Sequence, residues 1–310
     1  MNLQQALAAG PAFGNARGFT FGRQNNSNNP VSNAIDKLTL LTETTSTTSG
    51  TLSDEKDRSC VVRSQVNAYV MGGMKDNTAP ANTAEVERFV FATEVSSVLA
   101  ATLDTAKRGM QEGGMNAAAK GYCPGGFAAS DWVNVIEDMS FSGETSVAIS
   151  ATLSQIKTDF GAISSSAAGY TMGGNTNAGS TTVIDKLVYA AETCGSIAAT
   201  LDAIKARTMG LDAATRGYAV ASVEAPTVIE NMIFADDTSV VISATMPIAG
   251  LSTSMGCQSI YLGRGWAMGG IIGATRQTSI NRLVYAGETT STIGAVLGTA
   301  NSSCGSTESP

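Results

Sequence analysis

Gly169 to Gly174 reads GYTMGG, and it is one of a series: an aromatic residue followed three positions later by a glycine pair also stands at Tyr69, Tyr122 and Trp266. The aromatic position itself recurs six times, as Phe19, Tyr69, Tyr122, Tyr170, Tyr218 and Trp266, at spacings of 48 to 53 residues. No other property constrains the fold so strongly. A period of this length means that each repeat is one supersecondary unit, which buries its apolar faces only against its neighbours.

Further landmarks follow each aromatic in fixed order. A four-residue motif comes first, reading IDKL from Ile35 and again from Ile184, VERF from Val86, IEDM from Ile136, IENM from Ile229 and INRL from Ile280. Two residues on stands a bulky side chain: Leu40, Phe91, Phe141, Tyr189, Phe234 or Tyr285. Next comes an acid, Glu43, Glu94, Glu144, Glu192, Asp237 or Glu288, and a small-Thr-Leu triplet such as Ala199-Thr200-Leu201 closes the unit. The pieces are short, rich in β-branched and aromatic residues, and bounded by Gly, Asn, Ser or Thr, which marks them as strands. In INRLVYA, apolar groups fall on both alternating faces, so the strand is packed on both sides.

Four strands fit in each unit, and six units of four antiparallel strands predict an all-β fold, a six-bladed β-propeller. A β-solenoid is the competing architecture, but its repeats are shorter and its strands parallel. The expected organisation is an extension at 1–8, a propeller over 9–300 with repeats near 9–52, 53–103, 104–153, 154–201, 202–246 and 247–297, and a tail at 301–310. Gly10, Cys60, Gly113, Gly161, Met209 and Cys257, nine residues before each aromatic, are expected on a crowded innermost strand. Residues 8–15 are expected to supply that strand in the first unit, with SSCGSTES of the tail as the competitor.

On these residues the unit resembles a kelch repeat, whose second strand ends in a glycine doublet and whose third strand carries a tyrosine. Gly72-Gly73, Gly125-Gly126, Gly173-Gly174 and Gly269-Gly270 match the doublet, and Arg58, Arg108 and Arg207 resemble the arginine before the first kelch strand. The acid after the third-strand tyrosine is Ala190 or Ala286 here, and the doublet is Gly22-Arg23 in the first unit and Ala221-Ser222 in the fifth. Degenerate repeats of this kind are similar to those of bacteriophage and bacterial genomes. The resemblance implies a virion protein of a phage tail, fibre or head surface that contributes to assembly or host attachment. Its partners would be other virion proteins or a host-surface glycan or protein, and self-association stays open. A cellular kelch-like adaptor or lectin-like module in the cytoplasm is the alternative.

Composition narrows the chemistry. The chain has 310 residues, a net charge of −7 and no histidine. Ser-His-Asp and Cys-His catalysis and histidine-ligated metals are therefore out of reach, so no enzyme activity and no cofactor or metal is expected. The acidic balance provides no footprint for nucleic acid. No apolar run is long enough for a spanning helix, and MNLQQALAAG lacks the charge and apolar core of a signal peptide, so synthesis and folding in a cytoplasm are expected. The five cysteines are widely spaced, without a CxxC pair, and read as small buried hydrophobes.

The loops after the second strands are the part that the six copies do not share, and they form the expected ligand-binding face. Their polar and aromatic residues are Asn25, Asn26, Asn28, Asp76, Asn77, Asp131, Trp132, Asn175, Asn177 and Arg276, with Phe127 beside them. Amides, acids and a stacking ring suit a sugar. Asn and Gly are also what turns require. The recurring acid is expected to serve a turn, accepting backbone N–H bonds between the third and fourth strands. Sialidase-like chemistry would need an arginine cluster and Asp-box repeats, and neither is found in the sequence.

Overall fold

The computed structural model of the chain describes residues 16–24, 31–75, 81–110, 114–248 and 251–309. Among them there is no helix; the regular structure is β, in antiparallel sheets. Six sheets follow one plan. In unit four the strands Gly161–Ser164, Ala168–Met172, Val183–Val188 and Thr193–Thr200 pair in sequence order. Units two, three, five and six repeat this order, the sixth sheet carrying two additional short strands at its loop end.

Unit one departs in one respect. Its second, third and fourth strands are Arg17–Gln24, Val31–Thr39 and Thr44–Thr51, but its first strand is Gly305–Ser309, from the far end of the chain. Phe19 sits opposite Thr307, as Tyr170 sits opposite Ile163 in unit four. The stretch expected to be a tail thus occupies the place expected for residues 8–15, which lie outside the described residues. Its short, polar sequence suits an edge position, because Thr307 supplies the ladder and Gly305 passes within reach of Val61.

The first strands of successive units lie against one another, and that of unit six lies against Gly305–Ser309 of unit one. The fourth strands show the same cyclic neighbour relation. The core accordingly lies between sheets. Six buried apolar clusters each draw on two consecutive units; the last joins Trp266 and Met268 of unit six to Leu38 and Leu40 of unit one. This explains the strands that are apolar on both faces.

The recurring aromatic lies in these seams. Tyr122 stacks on Tyr189 of the next unit with ring centroids 5.4 Å apart, Tyr170 stacks on Phe234 at 5.5 Å, and Tyr218 stacks on Tyr285 at 5.2 Å. Phe19 with Phe91 and Tyr69 with Phe141 repeat the pair. Such stacks add about 0.5–1.5 kcal/mol each beyond the area that they bury.

Of the residues expected on the crowded first strands, Cys60, Gly161, Met209 and Cys257 lie there, Gly10 and Gly113 fall outside the described residues, and some of the tightest approaches come one residue away. A Cβ on Gly114 would lie 1.9 Å from the Val61 carbonyl oxygen, and one on Gly210 equally close to that of Ala162. In unit six the hairpin is longer, so Cys257 pairs directly with Trp266, where unit five has Leu211 opposite Tyr218. Counting back from the aromatic therefore misplaces the register there.

Candidate functional site

The recurring acid has a role of its own. All six copies occupy the left-handed region, with φ between 45° and 56°, in the turn between the third and fourth strands. From there the carboxylate reaches the preceding unit and not the local backbone amides, which corrects the expected turn role. Glu192 accepts from the Tyr122 hydroxyl at 3.1 Å and from Lys120 at 2.7 Å. Asp237 holds Tyr170 and Lys186, Glu288 holds Tyr218 and Arg216, Glu144 holds Tyr69 and Arg88, and Glu94 holds Arg17 and Lys37. Glu43 closes the series on Trp266 and Arg282 of unit six.

A second set of charges is buried between units. Lys56, Lys107, Lys157 and Lys205 are fully buried and pair with Glu87, Glu137, Asp185 and Glu230, the second residues of the four-residue motifs. Each carboxylate also accepts the amide that follows the Thr-Leu triplet, as Glu137 does from Asp104 at 2.6 Å. A carboxylate and an ammonium removed from water are tolerable only when paired and hydrogen-bonded in this way. Unit six puts Leu251 where the lysine stands, as its pairing with Ile272 shows beside that of Lys107 with Ala128, and it has Asn281 in place of the acid. In unit one Asp36 is matched instead by Arg23, at 2.8 Å, which replaces the second glycine of the doublet.

The doublets serve the same junctions. Gly173 has φ of 69° and Gly174 of 110°, the latter open only to glycine, and the Gly174 amide donates to the Lys205 carbonyl of the next unit at 2.7 Å. Ala221 carries the left-handed turn in unit five, where the second residue is Ser222.

Two residues beyond each buried lysine position stands another left-handed residue: Arg58, Gly109, Asp159, Arg207, Thr253 and Ser303, one per unit. Their backbones join in a cycle. The amide of Arg58 donates to the Ser303 carbonyl at 2.7 Å, Gly109 to Arg58 at 3.2 Å, Asp159 to Gly109 at 3.0 Å, Arg207 to Asp159 at 2.7 Å, Thr253 to Arg207 at 3.2 Å, and Ser303 to Thr253 at 3.4 Å. Six hydrogen bonds thus return to their starting residue.

A cavity of about 410 Å³ opens on this collar, and all six of its residues line it. Arg58, Arg108 and Arg207, some 50 and 100 residues apart in sequence, meet there. Arg108 lies over the Phe127 ring, 4.7 Å from its centroid, and donates to Asn82 at 3.0 Å. Arg207 is exposed and has no side-chain partner among the described residues. Burial and the neighbouring Arg58 lower the Arg108 pKa, while Asp57 and Asp159 oppose them. Asp57 is wholly buried, and its oxygens lack hydrogen-bond partners among the described residues. Desolvation raises its carboxyl to about 6 against the pull of Arg58, Arg108 and Arg276.

The loop residues expected at the ligand-binding face divide into three groups. Trp132 and Asn175 line the cavity. Trp132 is held by its pairing with Phe127 in a two-residue ladder, and Asn175 donates to Asp159 at 3.2 Å. Arg276 stands beside it, donating to Ser302 at 3.0 Å and facing Asp57 and Arg58. Asp131 and Asn177 are exposed, Asp131 in the same ladder and Asn177 at the tip of the 175–180 hairpin, and neither lines the cavity. Asn25, Asn26, Asn28, Asp76 and Asn77 lie outside the described residues. Against expectation, the fold does gather an arginine cluster; its signal was the arginine preceding the first strand, which recurs in units two, three and five. Asp159, Gln24 and Thr158 add to the polar lining.

Other hollows are less suited to a ligand. Those near Asp212 and Glu308 measure about 30 and 40 Å³, room for little more than water. A wider one of about 570 Å³ between units five and six is lined by Arg216 and Glu288, which already bind each other at 2.8 Å. Four of the five cysteines are buried and Cys194 is half-buried, all as free thiols. Among the described residues no helix is long and apolar enough to cross a membrane. No protein-family model matches the chain, and no curated protein matches it either.

Proposed function

We propose that the six sheets are the blades of a six-bladed, kelch-like β-propeller, and that the chain is a non-enzymatic recognition and structural module of a virus particle, in a tail, fibre or head surface. The cyclic order of the seams and the cycle of collar hydrogen bonds support the propeller. One observation carries the recognition role: a cavity of small-molecule size, within the roughly 300–1,000 Å³ of such sites, receives residues from all six units on a rigid collar. The recurring acids, the first choice for carboxylate chemistry, are held in clasps between units. The virion setting rests on the resemblance to phage-borne repeats and on a surface poor in charge. Mass spectrometry of purified particles from the encoding virus tests it; the chain is expected among the particle proteins, and its absence rejects the virion setting in favour of a cellular adaptor or lectin-like module. A glycan array paired with a hydrolysis assay tests the rest, with binding and no turnover expected.

A further inference from the structure

On a chain of net charge −7, the collar cavity is a local excess of positive charge. Arg58, Arg108 and Arg207 line it and Arg276 stands behind, against Asp57 and Asp159. Asp57 and Asp159 answer only part of this charge, two carboxylates against four guanidinium groups. The collar amides are consumed by one another, so a ligand must be met by side chains. The remaining lining is uncharged: the apolar Phe127, Trp132 and Ile271, the amides of Asn175 and Gln24, and the hydroxyls of Thr158, Thr253 and Ser303, with Gly109.

We propose that this cavity binds an acidic sugar, a pyranose ring bearing a carboxylate, with the carboxylate on the guanidinium groups of Arg58 and Arg207 and the ring against Trp132. The planar guanidinium fork matches a carboxylate with two parallel hydrogen bonds, and three forks from three units converge on one space. A bare phosphate or sulfate would use the cations and leave the indole idle. The hydroxyls of a sugar take the amides of Asn175 and Gln24, and its apolar face takes the ring. Phe127 already has Arg108 over its ring, which leaves Trp132 as the stacking surface. This inference rests on reading the cavity as the recognition site.

Trp132 also supplies the assay, because the only other tryptophan, Trp266, is wholly buried in the seam between units six and one. Indole fluorescence of the full chain is titrated with a glucuronic-acid-terminated trisaccharide, its glucose-terminated counterpart and inorganic sulfate. The uronate is expected to change the signal saturably, to bind more weakly as ionic strength rises, and to outcompete both others. Arg58→Gln and Arg207→Gln, with thermal midpoints matching the parent, are expected to lose roughly tenfold or more in affinity, the scale of a charge-assisted hydrogen bond. Equal affinity for the glucose-terminated sugar, equal affinity for sulfate, or unchanged affinity in the arginine variants overturns the proposal. If the chain binds none of the three yet captures other glycans on an array, the acidic-sugar inference falls and the recognition reading stands; an empty array removes both.

Discussion

Glu43 accepts the indole hydrogen of Trp266 from 3.1 Å, across 223 positions of sequence. Arg282 donates to the same carboxylate at 3.0 Å, so the seam between the last unit and the first carries the clasp found between every other pair. Glu43→Ala is expected to lower stability by about 1–3 kcal/mol, because the indole and guanidinium lose their acceptor. Glu43→Gly is expected to lose less, since φ of 51° costs glycine nothing. Urea denaturation ranking the parent first, Gly second and Ala last meets the expectation; an alanine variant as stable as the parent contradicts it.

The buried lysines give a sharper contrast. Lys157→Leu alone leaves Asp185 charged and wholly enclosed, with an expected loss of about 3–5 kcal/mol. Adding Asp185→Asn recreates the Leu251 and Asn281 combination that unit six already carries, and most of the loss is expected to return. Denaturant midpoints of the single and double variants decide this, and a double variant no better than the single one refutes the pairing argument.

Asp212 sets a pH dependence. Burial, opposed by the Ser164 amide and reinforced by Glu308, raises its carboxyl to about 7 in the folded chain, against about 3.9 when unfolded. The folded chain therefore holds the proton more tightly, so this group adds stability as pH falls from about 7 toward 4 and withdraws it as pH rises through 7. Asp212→Asn keeps an acceptor for the Ser164 amide and removes the charge. Its thermal midpoint is expected to exceed that of the parent at about pH 8, with the gap narrowing toward about pH 5. A gap that does not change with pH removes Asp212 as the source.

Glycines of the chain divide by surroundings. Gly173→Val places a Cβ 2.5 Å from the Lys205 carbonyl oxygen at φ of 69°, and is expected to abolish folding or lower the melting temperature sharply. Gly294 has nothing within 4 Å of its added Cβ and lies on an exposed strand, so Gly294→Val is expected to melt close to the parent. Circular dichroism melts of both variants compare them directly, and an unaltered melt for Gly173→Val refutes the doublet's structural role.

The strand pattern was legible because repetition multiplies weak signals: six copies of one alternation outweigh the ambiguity of any short strand. The acids were recognised as structural but assigned to the wrong partner, since nothing in the linear order says that Glu192 will meet Tyr122 of the preceding unit. The arginine cluster was hidden for a related reason. Arg58, Arg108 and Arg207 each look like a repeat feature, and only the cyclic arrangement turns three equivalent positions into neighbours. The closing strand stood only as the competitor of residues 8–15 because Gly305 to Ser309 has little β-branched or aromatic character; its place is decided by the vacancy beside Phe19 and Phe21 and not by propensity.

That vacancy also bears on how the molecule comes into being. The first sheet begins with Arg17 and is completed only by Gly305–Ser309, so its second strand emerges from the ribosome with one edge open and keeps it open while five further units are synthesised. Units two to five can dock on one another as they appear, but the seam between units six and one must wait until Gly305–Ser309 has been made. Closure of the first sheet is thereby coupled to synthesis of residues 305–309, and a chain released before them is left with an unpaired, apolar strand at Phe19 and Phe21.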